Sequence, residues 1–301
     1  MGLEISEQQI CQFKTDGYLV LPSVFDLSEV KAMREEANFI LELMVNSSLY
    51  HQRKSGRLDI RQTHTGQIVR KIQPINDLSL CLSRLSTEQR LLVPLAQLMA
   101  DQPILMEEKL NYKEPLPTPV DIESAEMEDR FPVHNDWAYY QAQNYPQEII
   151  SSAVSMDACT SENGPICVWP RSHQKHLEHQ SISLGLQVKD GLIDFNTGQE
   201  ILCEAGSVMF FHSVLVHNSR PNTSGRPRRL MIYSHYPAQF NLGNDVRNGS
   251  RRLIESPYEI EYLRAKASGR TEDLFSAPNF WLMKIKWVGF HSWFLLKVLS
   301  N

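Results

Sequence analysis

The chain has little of what marks a secreted, zinc-thiolate or nucleic-acid-binding protein. Its five cysteines, at 11, 81, 159, 167 and 203, form no Cys-x-x-Cys pair, and an odd number closes no complete disulfide framework. They read as reduced core residues. There is no excess of positive charge: 30 Lys and Arg stand against 35 Asp and Glu, a formal net charge of -5. Phosphate-backbone binding needs a basic face, so nucleic acid is excluded as a partner and small molecules are expected. The opening "MGLEISEQQI" lacks the basic and apolar regions of a secretory signal, which makes the cytoplasm the expected location. No internal repeat, low-complexity tract or linker is visible. One domain over residues 1–301 is therefore expected, with a core at about 10–236 and an extension at about 238–301.

What is present is ordinary globular material, 42% hydrophobic and 22% charged. Ser6 with Gln9, and Asp26 with Glu29, are capping boxes for two helices. The first helix stops at Asp16-Gly17. The second carries Val30, Met33, Ala37, Ile40, Leu41 and Met44 at spacings of three and four, one buried stripe. "YLVL", 18–21, reads as a strand between them. From 51 to 71 six basic residues (Arg53, Lys54, Arg57, Arg61, Arg70, Lys71) face one acid, Asp59. That run reads first as a solvated loop, and more sharply as an arm for an anionic substrate group such as a carboxylate, phosphate or CoA tail.

From 104 onward short strand-like runs recur between turn signals such as "SENGP" and "NTSGRP". Ile150, Val154 and Met156 alternate with Ser151, Ser155 and Asp157, the pattern of a half-buried strand. Many short antiparallel strands predict a mainly β sandwich or jelly roll with N-terminal and flanking helices. The tail "PNFWLMKIKWVGFHSWFLLKVLSN" is aromatic-rich, but Lys284, Lys286 and Lys297 make a spanning helix costly. It is read as packing on the protein's own sheet or on a second subunit of a homodimer, with membrane-surface contact as the lesser alternative.

The chemistry centres on "FPVHNDWAYY", residues 131–140. A histidine and a carboxylate at i and i+2 share one face of a strand or its extended end, so His134 and Asp136 are placed to grip one ion. His217, at the end of "GSVMFFHSVLVH", is the best third ligand, with His212 and His235 as rivals. Two histidines and one carboxylate occupy one face of an octahedron and suit non-haem Fe(II), which must keep positions open for a co-substrate and O2. His-x-Asp alone is a weak signal, and a lone histidine is more often simply a packed residue. "HQKHLEH", with His173, His176 and His179, has helical spacing and reads as a solvated helix face. Arg228, eleven residues after His217, supplies a cationic fork fit for a dicarboxylate, although in "GRPRR" it also reads as surface charge.

In order and content, "FKTDGYLVLPSVFDLSEV", "HND", "SENGPICVWPRSH" and "GSVMFFHSVLVHNSRPNTSGRPRR" resemble the phytanoyl-CoA dioxygenase family of Fe(II)- and 2-oxoglutarate-dependent oxygenases, which includes ectoine hydroxylases. The resemblance covers most of residues 10–236 and implies a double-stranded β-helix, the cupin-like jelly roll. It implies His134, Asp136 and His217 as iron ligands and Arg228 as the anchor of the distal 2-oxoglutarate carboxylate. Ser219, Phe131 and Asn111 would line the co-substrate pocket, with Lys109 and Lys113 beside it. Tyr140 and Trp137 would face substrate, although aromatics there also read as sheet packing. Related halogenases replace the carboxylate ligand with a small residue, so Asp136 favours hydroxylation, desaturation or ring closure of a small molecule, an apolar or secondary metabolite. Arg171 departs from the glycine usual in "WPRSH". A non-catalytic jelly-roll module, or a hydrolase using the same ligands, is the competing reading.

Overall fold

The computed structural model describes residues 3–63, 66–115, 130–242 and 257–271. The first helix, α1 (Glu7–Asp16), starts at the Ser6–Gln9 capping box and ends on Gly17, whose φ of 84° supplies the left-handed stop. Strand β1 (Tyr18–Leu21) follows, then the long α2 (Leu27–Tyr50), capped reciprocally by Asp26 and Glu29. Val30, Met33, Ala37, Ile40 and Met44 are buried along α2, the stripe the spacing calls for.

Residues 51–57 are loop, as expected, but the rest of the basic run is not. Strands β2 (Leu58–Thr63) and β3 (Gly66–Ile72) pair as an antiparallel hairpin, and the basic side chains find partners there: Arg57 on Asp77 and Arg70 on Asp59. Two helices without a strong sequence signal, α3 (Leu80–Leu85) and α4 (Gln89–Met99), precede the long β4 (Pro103–Lys113). After residue 130 come β5 (Phe131–His134), a helical turn at Trp137–Tyr140, β6 (Ile150–Ser155), β7 (Ile166–Val168), the hairpin β8 (His179–Ile182) and β9 (Gly185–Val188), β10 (Gln199–Glu200), β11 (Val208–His212), β12 (His217–Ser219) and β13 (Arg228–Pro237). Helix α5 (Pro257–Ala267) packs on α2.

Among the described residues two main antiparallel sheets result, with β8–β9 as a separate two-stranded one. The larger has the order β1-β11-β6-β13-β4-β3-β2, the smaller β10-β7-β12-β5. Because strand side chains alternate, β13 sends Met231 and Tyr233 into the helix-covered core with α2, α3 and α4, and Leu230 and Ile232 into the space between the sheets. Strand β6 is buried on both faces, unlike the half-buried strand its alternation predicts, since helices cover one face and the small sheet the other. Ser151 and Ser155 stay hydrogen-bonded inside, to Ser234 and to Cys159 and Cys203. The architecture is the expected jelly roll. The "HQKHLEH" run is not a helix: His173 sits in a short 3-10 turn, and His179 begins β8. Trp281, Trp287 and Trp293 lie outside the described residues, as does nearly all of the 116–130 loop.

Candidate active site

The small sheet brings His134 and His217 together. Strands β12 and β5 are antiparallel neighbours, and His217 is the register partner of His134. Asp136 arrives differently from the expected strand position. The chain leaves β5 after His134, and Asp136 caps the helical turn with an αR backbone, so that turn and not strand alternation aims the carboxylate back at the imidazoles. Trp137 N–H donates to the Ser213 carbonyl at 3.0 Å, tying the turn to the loop between β11 and β12. Asn135 is wholly buried. It holds His179 through its backbone N–H (3.2 Å), meets His176 through its side-chain amide (3.1 Å), and accepts from Ala138 N–H (3.0 Å).

Each histidine is oriented by a carbonyl. His134 Nδ1 donates to Pro132 O at 2.7 Å and His217 Nδ1 to Leu215 O at 2.9 Å, which leaves both Nε2 lone pairs free for a metal. The two Nε2 atoms lie 3.7 and 3.9 Å from Asp136 Oδ1. Among the described residues, His134, Asp136 and His217 are the group whose ligand atoms all fall within 4.8 Å of one another. The second carboxylate oxygen, Asp136 Oδ2, is buried without a hydrogen bond, with the Lys109 ammonium 3.7 Å away. Burial alone would raise the Asp136 carboxyl, but Lys109, His134 and His217 outweigh it and hold it well below the usual carboxylate range. Burial, reinforced by His134, pushes His217 down to about 4. An ionised carboxylate, two imidazoles with Nε2 free of other partners and an orphaned buried oxygen fit a divalent cation. The rivals stand elsewhere: His212 Nδ1 accepts from Val214 N–H, and His235 is buried in β13 opposite Leu105 and Ile150.

Arg228 opens β13, opposite Lys113, and is 4% exposed. Its Nε donates to Asn163 O (3.2 Å) and Nη2 to Gly164 O (2.6 Å), and no carboxylate among the described residues pairs with it. Gly164 is required: at φ 72° a Cβ there would strike the Arg220 carbonyl and come within 2.8 Å of Lys113 Cε. Lys113 Nζ donates to Ser219 Oγ (3.3 Å), and Phe131 is the register partner of Ser219 with the Lys113 ammonium 5.4 Å from its ring centre. Asn111 Oδ1 is buried and unpaired on the same strand face. Phe131, Ser219, Lys113 and Arg228 are thus linked by contact or register, with Asn111 two residues from Lys113, and β5 and β12 also carry the histidines.

On the other side Lys109 bridges Glu107 (3.0 Å) and Asp136, and Tyr140 donates to Glu107 at 2.5 Å. Trp137 is committed to other partners, with its indole N–H on Tyr145 O (3.2 Å) and its ring edge on His176. Tyr139 meets His134 edge-on and accepts from Leu186 N–H. Glu107 and the Asn163 and Gly164 carbonyls carried no sequence signal as site groups, since each is recognisable only through what it touches.

The sequence profile described as Phytanoyl-CoA dioxygenase (PhyH) matches residues 13–230. The chain belongs to the phytanoyl-CoA dioxygenase family of Fe(II)- and 2-oxoglutarate-dependent oxygenases. It is 23% identical over 240 residues to a methylphosphonate hydroxylase of Gimesia maris, covering 78% of this chain and 82% of the relative. It is 25% identical over 281 residues to an ectoine dioxygenase of Sphingopyxis alaskensis, covering 85% and 80%. The crystal structure of EctD from S. alaskensis with 2-oxoglutarate and 5-hydroxyectoine shares the fold at a TM-score of 0.57 and 20% identity, over 85% of this chain and 80% of that one. Membership makes this family chain a dioxygenase. Among the described residues no helix is long and apolar enough to cross a membrane.

Proposed function

We propose that this dioxygenase hydroxylates a C–H bond of a small molecule, with His134, Asp136 and His217 holding Fe(II) and Arg228 holding the distal carboxylate of 2-oxoglutarate. One observation carries the reading: a His–Asp–His face with an orphaned, buried carboxylate oxygen is linked, through Ser219 and its partner Lys113, to a buried guanidinium that no acid among the described residues neutralises. When bound, iron with 2-oxoglutarate and O2 supplies the oxidising power that inserts oxygen into the C–H bond, releasing succinate and CO2. The chain's own contribution is orientation. Pro132 and Leu215 carbonyls fix the imidazoles, Asn163 and Gly164 fix the guanidinium, and the Lys113–Ser219 pair adds a second positive donor at its side. Asn111 borders the keto-acid end, where its amide N–H can donate, while Phe131 packs along the co-substrate and keeps water out. Lys109 and Tyr140 lie on the side left for substrate, and Trp137 supports the turn behind them.

Asp136 as a carboxylate ligand supports hydroxylation over halide transfer. The completeness of the ligand set and the anion-seeking Arg228 speak against a non-catalytic module, and Arg228 would have no task in a hydrolase. Two measurements test the proposal. Anaerobic addition of Fe(II) and 2-oxoglutarate is expected to produce a weak visible charge-transfer band. His134→Ala and Arg228→Ala are expected to abolish succinate formation; succinate release at the wild-type rate in either variant would end it. The substrate is proposed to be a small polar molecule, the kind that the methylphosphonate- and ectoine-acting relatives are named for, in place of the apolar metabolite expected from the aromatic residues alone.

A further inference from the structure

The β2–β3 hairpin carries a bulge at its Asp59–Ile60 step. Asp59 pairs with Lys71 and Ile60 with Val69, so Arg70 is the extra residue on β3. A bulge places two successive residues opposite one and re-aims their side chains. Here it turns Arg70 and Lys71 toward one region. The Arg70 guanidinium lies 4.9 Å from the ring centre of Phe131, three residues before His134, and its charge is felt by Tyr139, whose ring edge meets His134. Lys71 is the register partner of Asn111, and its electrostatic surroundings are Lys109, Asp59, Glu107 and Asp136.

Each acid in the surroundings of Lys71 among the described residues is already engaged, Asp59 by one nitrogen of Arg70. Asp59 accepts from Arg70 Nη2 at 3.1 and 3.2 Å. Glu107 accepts from Lys109, Tyr140 and Gln73. Asp136 belongs to the metal face. Among the described residues Arg70 Nε and Nη1 are nevertheless buried without a partner. Unused buried donors are costly, and an anion with two or more oxygens relieves them while pairing with the Lys71 ammonium. Burial and the neighbouring Lys109 charge lower the Lys71 ammonium, the cost that such an anion would remove.

We infer that Arg70 and Lys71 form a receptor, on the substrate side of the metal face, for a compact oxyanion carried by the substrate, a phosphonate or a carboxylate. This rests on the oxygenase reading for the claim that the anion belongs to the substrate. Iron and the 2-oxoglutarate dianion cancel in charge, so cofactor loading leaves the receptor's demand unmet. Arg228 and Lys113 receive the co-substrate, and Arg70 and Lys71 the substrate.

The test is calorimetric titration of methylphosphonate, propionate and neutral tert-butanol into anaerobic protein saturated with Fe(II) and 2-oxoglutarate, with the visible band recorded in parallel. Saturable binding of at least one anion, and none of tert-butanol, is expected. Lys71→Met is expected to weaken that binding about ten- to hundredfold, the worth of one charged hydrogen bond, while leaving 2-oxoglutarate affinity unchanged. Lys71→Arg is expected to restore it to within a few-fold, and Arg70→Gln to weaken it again. Preference for methylphosphonate or for propionate identifies which oxyanion the receptor takes. Binding of neither anion, or equal affinity in Lys71→Met and wild type, overturns the inference. Absence of the band in wild type overturns the iron and 2-oxoglutarate reading instead, and the calorimetry still decides the anion site.

Discussion

Arg228 is a guanidinium held in place by two backbone carbonyls and left without an acid, and that combination separates orientation from charge. Lysine at this position keeps the charge but loses the planar fork. Arg228→Lys is therefore expected to raise the half-saturating 2-oxoglutarate concentration about ten- to hundredfold, read from the visible band or from succinate formation. His212 gives a second prediction at this scale. Burial, with the charge of His173 beside it, lowers its pKa to about 4, and its Nδ1 already accepts from Val214 N–H. The folded state then resists a proton that the unfolded chain takes up below about 6.5. Stability attributable to His212 is complete above that pH and is lost as pH falls toward 4, by up to about 3 kcal/mol. Denaturation of the protein at pH 7 and pH 5 should show the loss; equal midpoints would contradict it. Of the proposed metal ligands, His134 and Asp136 were picked out by two-residue spacing, although a helical turn and not strand alternation places Asp136, and His217 only by the motif that contains it. Spacing alone left His212 and His235 as rivals, because which strand pairs with which is not a local property.

At the scale of elements, the helices with capping boxes were legible and the others were not. Helix α3 is six residues long and depends on Ser79, which accepts from Leu82 N–H at 3.1 Å and donates to Glu36 of α2 at 2.5 Å. Ser79→Ala removes both a buried cap and a tie to α2. A loss of about 1–2 kcal/mol in urea denaturation is expected, with the 2-oxoglutarate requirement unchanged because the residue lies on the far side of the large sheet. The hairpin β2–β3 is the element most at odds with its sequence. A run of arginines and lysines reads as solvated, yet Asp77 and Asp59, distant or adjacent, neutralise Arg57 and Arg70 and let the strands pair. The same holds for Trp137–Tyr140: aromatic composition suggests a strand, while Asn135 caps a helical turn through Ala138.

For the whole molecule, the proposed iron ligands are carried by the small sheet and the turn after it, within reach of Lys109 on the large sheet. Such a site is stabilised by what it binds. Anaerobic Fe(II) with 2-oxoglutarate at about a hundred times the dissociation constant is expected to add about 2.7 kcal/mol of stability, seen as a melting temperature higher by several degrees. Removal of metal with a chelator should reverse the shift. His134→Ala should show no such rise, and a rise of wild-type size would detach the stabilisation from this site.

Local chemistry wrote much of this protein into its chain: caps, turns, the alternation of β13, the His-x-Asp pair and the charge balance all follow from neighbours a few residues apart. Convergence did not. Setting His217 opposite His134, delivering Arg228 to the Asn163–Gly164 carbonyls and turning Arg70 and Lys71 inward at a bulge each depend on pairing between segments far apart in sequence. Those pairings were chosen by packing between two sheets and a helical layer, and burial then set the charge states that make the residues a site.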